Sequence, residues 1–368
     1  MVCPDIGKND FHRTYKLAKS LSRRHEIKIV GPIFETCYGA GKPFIEDPEL
    51  DITIIDPGVR SRYLALTTPS LIRKQLEFCD GDIIHAFKAL PHTALTAVLA
   101  KYTNSKPVVV DLEDWELAIS SNANFTWRAL LLATEQSLRL CDEITVTSSF
   151  LQKRFGGVLV PNGVDTEQFS FKVSGEDVRR ELGISDSLVV GYVGTLKYHK
   201  GVDLLIKAVL KAQREMRNLK VLIVGTSPEE GYIEYLKQIS DDNVIFAGWR
   251  PFKDIPQYLA ACDIIAIPNR NTLVTQAQVP TKLFEAMALG KPVITTDVGD
   301  MPKILSEGNG LVVRAGDIDG LKKGILKILC DEEYAKSLGK NARKACVSKY
   351  SCNVMAEIVE RIYKRISI

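Results

Sequence analysis

Short apolar runs alternate with longer helical patterns along almost the whole chain, and this alternation restricts the fold more than any other feature. In the first half, strands are expected at Ile27–Val30, Ile52–Ile55, Asp82–His85, Val108–Val110, Ile144–Thr147 and Leu159–Val160. Helical stretches separate them at Phe11–Arg23, Pro69–Cys79, His92–Lys101 and Thr126–Leu140. In the second half, strands are expected at Val189–Val193, Val221–Val224, Val244–Ala247, Ile264–Ile267 and Val293–Thr296, with helices near Val202–Met216, Glu229–Ile239, Asp254–Ala261 and Thr281–Leu289. Alternation of this kind predicts an α/β fold with a parallel sheet and helices on both faces. Leu204, Leu205, Ala208, Val209 and Ala212 recur at helical spacing and give one such helix an apolar face.

At 368 residues the chain is long enough for two domains. The halves echo each other: Leu140-Cys141-Asp142-Glu143-Ile144 and Ala261-Cys262-Asp263-Ile264-Ile265 each close a helix and open a strand. Two Rossmann-like doubly wound domains follow, facing a central cleft, with ligands expected beyond the carboxyl ends of the strands. Pro161-Asn162-Gly163-Val164-Asp165 has strong turn chemistry and precedes a polar segment. The expected division is 1–165, 166–350, and a closing helix within 351–368 whose stripe of Ala356, Val359, Ile362 and Tyr363 returns to the first domain. The opening strand, Met1-Val2-Cys3, is abruptly short, which leaves a start upstream as an open question.

A net charge of +3 is too small to imply nucleic-acid binding. No apolar run is long enough to span a membrane, and no basic-then-apolar leader opens the chain. The eight cysteines are scattered without a CxxC pair, which argues against structural zinc and a disulfide framework and suits a reducing cytoplasm. The reading therefore includes no metal and no cofactor.

Two stretches carry anion-binding chemistry. In Pro280-Thr281-Lys282-Leu283-Phe284-Glu285, Pro280 suits the first position of a helix, which Gly290 and Pro292 end. The free N–H groups of such a helix start suit a phosphate, Lys282 adds a full charge, and Glu285 lies on the same face one turn on, where it can accept ribose hydroxyls. In Gly191-Tyr192-Val193-Gly194-Thr195 through Lys200-Gly201, a strand enters a glycine-bearing loop and then a helix. Gly194 permits close approach of backbone to a ligand, and Lys200 stands just ahead of the helix; the glycine-lysine spacing is not that of a P-loop. A solvated Lys-Glu pair and a plain strand-helix turn are the structural alternatives. Gly225-Thr226-Ser227 and Trp249-Arg250-Pro251 follow strands and border the same region, either as contacts or as ordinary loops. In the first half, Gly7 and Lys8 precede the first helix, and Asp111, Glu113 and Asp114 stand at a strand's carboxyl end, placed to bind hydroxyls or to cap a helix. His85 and His92 flank another strand end. Arg13, Lys16, Arg23 and Arg24 share one face of the first helix, a solvated face or a contact for anionic lipid.

Together these motifs resemble the retaining glycosyltransferases of family 4, which have the GT-B fold. The likeness is most specific at Pro161 to Asp165, Gly194 to Gly201 and Pro280 to Pro292. It implies transfer of a sugar from a nucleotide-diphosphate-sugar to an acceptor hydroxyl, with retained configuration and no metal. Lys200 would meet the diphosphate and Glu285 the ribose, with Asp111 the third residue of the catalytic set. Gly7, Gly194, Thr195, Gly225, Arg250, Pro280, Thr281 and Lys282 would line the donor. Lys8, His85, Asp111, Glu113 and Asp114 would line the acceptor. The pattern departs from the family at two donor positions: Ala277 stands where a first glutamate is common, with Gln276 and Gln278 as neighbours, and Thr195 stands where an arginine is common. The strand-end histidine often seen in the first domain is also missing, with Asp111 or Glu113 nearest. An epimerase or phosphorylase on the same fold, or a non-catalytic nucleotide-sugar-binding subunit, are the rival readings.

Overall fold

The structure is a computed structural model that describes residues 1–7, 10–34, 44–57 and 69–367. The chain divides into two compact units, Met1–Gly163 with Cys352–Ile368, and Val164–Ser351. The first crossing falls two residues before the expected 165 and the second one residue after 350.

The first unit contains β1 (Lys28–Pro32), β2 (Asp51–Ile55), β3 (Ile84–Phe87), β4 (Val108–Leu112), β5 (Glu143–Val146) and β6 (Val158–Leu159). β1 pairs with β2, and β3, β4, β5 and β6 pair in that order, all parallel. The short start of the chain joins the two groups, because Val2 bridges both Val30 and Ala86. Among its helices are α1 (Phe11–Leu21), α2 (Thr96–Asn104) and α3 (Phe125–Ser137). The closing helix, Cys352–Ile366, packs Met355, Val359 and Ile362 against Leu17 and Leu21 of α1.

The second unit is one six-stranded parallel sheet, ordered β12-β11-β10-β7-β8-β9. Its strands are β7 (Leu188–Val193), β8 (Leu219–Val224), β9 (Val244–Gly248), β10 (Ile264–Ile267), β11 (Val293–Thr296) and β12 (Leu311–Val313). The period-two alternation of strands is visible in the core. Val189, Leu222 and Ile265 enter one apolar cluster, while Val190, Val221 and Ile264 enter another. Both faces are covered by helices, which is why these strands read as continuous apolar runs. Two of the covering helices are α4 (Val202–Ala212) and α5 (Thr281–Ala288).

β12 and the long helices Ile318–Cys330 and Glu332–Lys349 are absent from the sequence reading. In the first of these helices Leu321, Ile325 and Ile328 are buried at helical spacing.

The Cys-Asp echo has a physical basis. Asp142 accepts the N–H of Val108 at 2.8 Å, and Asp263 accepts the N–H of Val189 at 2.7 Å. In each unit the carboxylate before one strand fixes the start of its neighbour.

Candidate active site

In the second unit the strand ends and α5 converge. β7 runs into Gly194 with φ +130°, and β8 into Gly225 with φ +136°, backbone that side-chain-bearing residues rarely adopt. The Gly194 N–H donates to the Val224 carbonyl at 2.8 Å, and that of Leu196 to Thr226 at 2.9 Å. A Cβ on Gly225 would lie 2.1 Å from the Gly194 carbonyl oxygen, and one on Gly194 would lie 2.5 Å from Nζ of Lys282. Glycine here admits a lysine ammonium against the backbone. Nζ of Lys282 also sits 3.7 Å from the ring centroid of Tyr192, whose hydroxyl donates to the Thr195 carbonyl at 2.9 Å.

α5 starts without a side-chain cap, and of its first N–H groups that of Leu283 donates to the Pro280 carbonyl at 3.1 Å. Pro280 is the residue before the first turn, at the N-cap and not at the first helical position, and it offers no capping side chain. The first N–H groups of the helix are therefore not satisfied by a cap. Lys200 lies in the loop entering α4, and its Nζ donates to Oε1 of Gln278 at 2.7 Å. Glu285 is buried, one turn into α5. Lys282 keeps some surface exposure, but its ammonium is desolvated. Burial, then the positive charge of Lys200, hold it well below the usual lysine value of 10.5, with Glu285 acting the other way. Lys200, Lys282 and the buried Glu285 carboxylate are thus electrostatic neighbours beside a helix tip, an arrangement that suits a multiply charged anion.

The loop bearing Lys200 is strapped in place. Arg270 donates to both oxygens of Asp203 at 2.8 Å and to the Tyr198 carbonyl at 2.7 Å, and its guanidinium lies 3.9 Å over the Tyr198 ring. Its backbone N–H donates to His199 O at 2.9 Å. Neither Arg270 nor Asp203 was singled out in the sequence, since nothing in their spacing marks them as partners. At the departures from the family pattern, Ala277 is fully buried, Gln278 is engaged with Lys200, and Gln276 donates to Asn271. Arg250 is held by the Tyr258 hydroxyl and lies 5.3 Å over that ring.

The first unit corrects several expectations. Asp111 does not face a substrate. It is fully buried, with Oδ1 accepting from Arg13 Nε at 2.6 Å and Oδ2 accepting from Arg13 Nη2 at 2.8 Å and Thr145 at 2.6 Å. Burial would raise its pKa, but Arg13 holds it below the usual carboxylate range. Arg13 also donates to the carbonyls of Val160 and Pro161 and to Asn162 Oδ1, so it ties α1 to the end of β6 and the turn after it. His85 is not an acceptor contact either. It is buried, stacks on Phe87 at 4.6 Å and meets the Tyr363 hydroxyl at 2.7 Å; burial pushes it down to about 3, so it is neutral. The basic face of α1 does not present four free charges. Arg13 and Lys16 are buried, and Arg24 pairs with Glu360 at 2.8 Å.

Glu113 and Asp114 remain at the carboxyl end of β4, beside a lysine the sequence reading passed over. Lys88, buried and with φ +64°, meets Asp10 at 2.8 Å, Asp114 at 2.6 Å and Glu116 at 3.7 Å. Burial would lower it, but these carboxylates together hold it well above its ordinary value. Burial pushes Glu113 up to about 7, against the pull of Lys88 and with the push of Asp114. Gly7 donates to Asp5 at 3.0 Å. Lys8 lies outside the described residues.

Comparison with known proteins points the same way along the chain. The profile described as Glycosyltransferase Family 4 matches residues 12–168, and that described as Glycosyl transferases group 1 matches residues 174–345. Among curated relatives, a GDP-mannose-dependent monoacylated alpha-(1-6)-phosphatidylinositol monomannoside mannosyltransferase of Corynebacterium glutamicum is 27% identical over 350 residues, covering 90% of this chain and 88% of that protein. The N-acetyl-alpha-D-glucosaminyl L-malate synthase of Bacillus anthracis is 27% identical, covering 77% and 74%. Among solved structures, Anabaena HepE in complex with UDP and glucose superposes with a TM-score of 0.81 at 21% identity, covering 99% and 98%. WaaG, a glycosyltransferase involved in lipopolysaccharide biosynthesis, superposes with a TM-score of 0.70 at 17% identity, covering 95% and 94%. These likenesses establish the two-domain GT-B architecture.

Proposed function

The chain belongs to glycosyltransferase family 4, and from that premise we propose that it moves a sugar from a nucleoside-diphosphate donor to an acceptor hydroxyl, with retained anomeric configuration and without a metal ion. The observation that carries this reading is the meeting of Lys200, Lys282 and the α5 tip at the ends of β7 and β8. Held near each other in a desolvated place, two ammonium groups cost stability unless an anion joins them. A pyrophosphate offers charge to both and accepts from the first N–H groups of α5. Glu285, one turn deeper and buried, suits the hydroxyls of the attached ribose.

The chemistry then follows from charge. As the sugar leaves, negative charge grows on the departing diphosphate, and preorganised cations stabilise that state more than the ground state. Lysine charge and the helix tip fill the role a metal takes elsewhere. No side chain is proposed as a nucleophile; a donor phosphate oxygen takes the acceptor's proton on the face the sugar leaves. Glu113, and Asp114 in its pairing with Lys88, are the proposed hydrogen-bonding groups for the acceptor. The relatives that use GDP-mannose, and HepE with its UDP and UDP-glucose complexes, support the donor class without fixing its base.

The test is transfer from a panel of nucleotide sugars, with the product's anomeric proton coupling read by NMR and a chelator present throughout. An α-linked donor should give an α-linked product at an unchanged rate. A β-linked product would remove retention, loss of rate with chelator would remove metal independence, and binding without turnover on any acceptor would favour a non-catalytic subunit.

A further inference from the structure

Gln278 stands at the seam between the Lys200 loop and the α5 tip. It follows the short helix Leu273–Ala277 and comes two residues before Pro280. That helix is fixed at its start by a reciprocal cap: Thr272 Oγ1 accepts the Thr275 N–H at 3.2 Å, and Thr275 Oγ1 accepts the Thr272 N–H at 3.0 Å. Gln278 then leaves the helix in extended backbone, with φ −96° and ψ 140°. Successive side chains of an extended segment point opposite ways. Ala277 and Val279 are buried; Gln278, between them, is half-buried and turns to Lys200, whose Nζ donates to its Oε1 at 2.7 Å. The lysine end is fixed as well. The Lys200 N–H donates to the Lys197 carbonyl at 2.9 Å, and Arg270 donates to the carbonyls of Tyr198 and His199. One side-chain contact thus ties the loop after β7 to the segment that leads into α5.

The chemistry of that contact matters as much as its place. A carboxylate at 278 would hold the ammonium more strongly than a carboxamide does. It would also offset the lysine's charge. A carboxamide oxygen accepts the same bond and is neutral, so the charge stays whole. Two cations, Lys200 and Lys282, then stand against the one carboxylate of Glu285. The depression of Lys282 by Lys200 is the mark of a lysine whose field is not cancelled nearby. Glutamate at 278 would balance the group, and a diphosphate would lose the excess positive charge that draws it.

We propose that Gln278 is a positioning residue of the donor site, a neutral strut that sets Lys200 against the α5 tip and leaves its full charge for the diphosphate. This role rests on the diphosphate reading of the site and adds to it the group that keeps both lysines uncompensated. Gln278 acts through Lys200, without contact to the donor.

The test compares Gln278→Glu with Gln278→Met, side chains of nearly equal length. If residue 278 served only to brace the loop, glutamate would serve as well, since a carboxylate is the stronger acceptor. The strut instead predicts that Gln278→Glu weakens nucleoside-diphosphate binding at least about ten-fold in titration calorimetry and leaves binding of the bare nucleoside unchanged. The added negative charge should also raise the proton affinity of Lys282 in the free protein, so the pH window of proton uptake on binding moves upward. The charged groups facing Lys282 are Lys200 and Glu285, and burial keeps Tyr192 beneath it neutral, so a moved window reports charge at 278 and not a loosened loop. Gln278→Met removes the acceptor without adding charge. It should bind the diphosphate within about three-fold of wild type, leave the window in place and lower kcat at least about ten-fold, because Lys200 keeps its charge but loses its aim. Both variants should keep the wild-type melting temperature. An unchanged affinity and window in Gln278→Glu, or a wild-type kcat in Gln278→Met, overturns the strut while the donor reading stands. A wild type that does not prefer the diphosphate to the nucleoside overturns both.

Discussion

Lys282 offers the sharpest prediction, because its environment changes when an anion arrives. In the free protein, burial and the charge of Lys200 depress it well below 10.5. A bound diphosphate reverses the balance by placing negative charge at the ammonium, which raises its proton affinity. Between the depressed value and the bound value, binding must therefore take up as much as one proton. Affinity falls as pH rises through that window, by at most about ten-fold per pH unit, or about 1.4 kcal/mol. Where Lys282 is charged, its contact with phosphate is worth about 4 kcal/mol at 4 Å and an effective dielectric of 20. Measured net values for hydrogen bonds to charged groups are about 1.5–3 kcal/mol, so Lys282→Met should weaken nucleoside-diphosphate binding about 10- to 150-fold at low pH and abolish the proton uptake. Lys200→Met should shift the uptake window upward, because the repulsion that depresses Lys282 is gone. The assay is titration calorimetry in two buffers of different ionisation enthalpy across pH. Proton uptake that stays at zero, or that survives Lys282→Met, refutes the reasoning.

Three other changes report on different parts of the account. Lys200→Ala should lower turnover by about 10²–10³, the cost of about 2.7–4 kcal/mol for losing one preorganised contact to developing charge, and stopped-rate assays on folded protein check it. Arg270→Ala should release the loop at Tyr198–Lys200 and lower kcat/KM about 10- to 100-fold, chiefly through kcat, and should also lower the melting temperature, because buried Asp203 loses its bidentate partner. Arg270→Lys should recover little of that, since one ammonium cannot fork to both oxygens of Asp203. Arg13→Ala should destabilise the protein by about 3–5 kcal/mol by leaving Asp111 buried without its cation, whereas Arg13→Met with Asp111→Leu should cost less than the single change, as read by denaturant unfolding.

What the sequence disclosed follows from what local pattern can carry. The α5 to β11 segment was legible because Pro280, Gly290 and Pro292 bracket it, with Gly290 left-handed at φ +69° after the helix. The strands of the second unit other than β12 were legible as apolar runs packed under helices, whereas β12, at the sheet edge, is only half-buried. The helix Glu332–Lys349 was not legible, because its seven charged residues outnumber the apolar ones that pack; nothing in the composition of Ile318–Cys330 explains why it was missed. Among site residues, Lys200, Lys282 and Glu285 come together because strand-to-helix junctions in a parallel sheet share one edge. Arg13 and Asp111 were misread because spacing shows that a charge exists but not that its partner lies 98 residues away. Lys88 escaped notice for the same reason: it stands alone in an apolar stretch, and its carboxylates come from two distant segments.

The central claim is that Lys200, Lys282 and the α5 tip grip a pyrophosphate. Calorimetric titration of one nucleoside, its monophosphate and its diphosphate tests it most directly. The account predicts that the diphosphate binds at least about 100-fold more tightly than the nucleoside and that Lys200→Ala with Lys282→Met removes most of that difference. Equal affinity for nucleoside and diphosphate, or a double variant that binds the diphosphate as the wild type does, would contradict it.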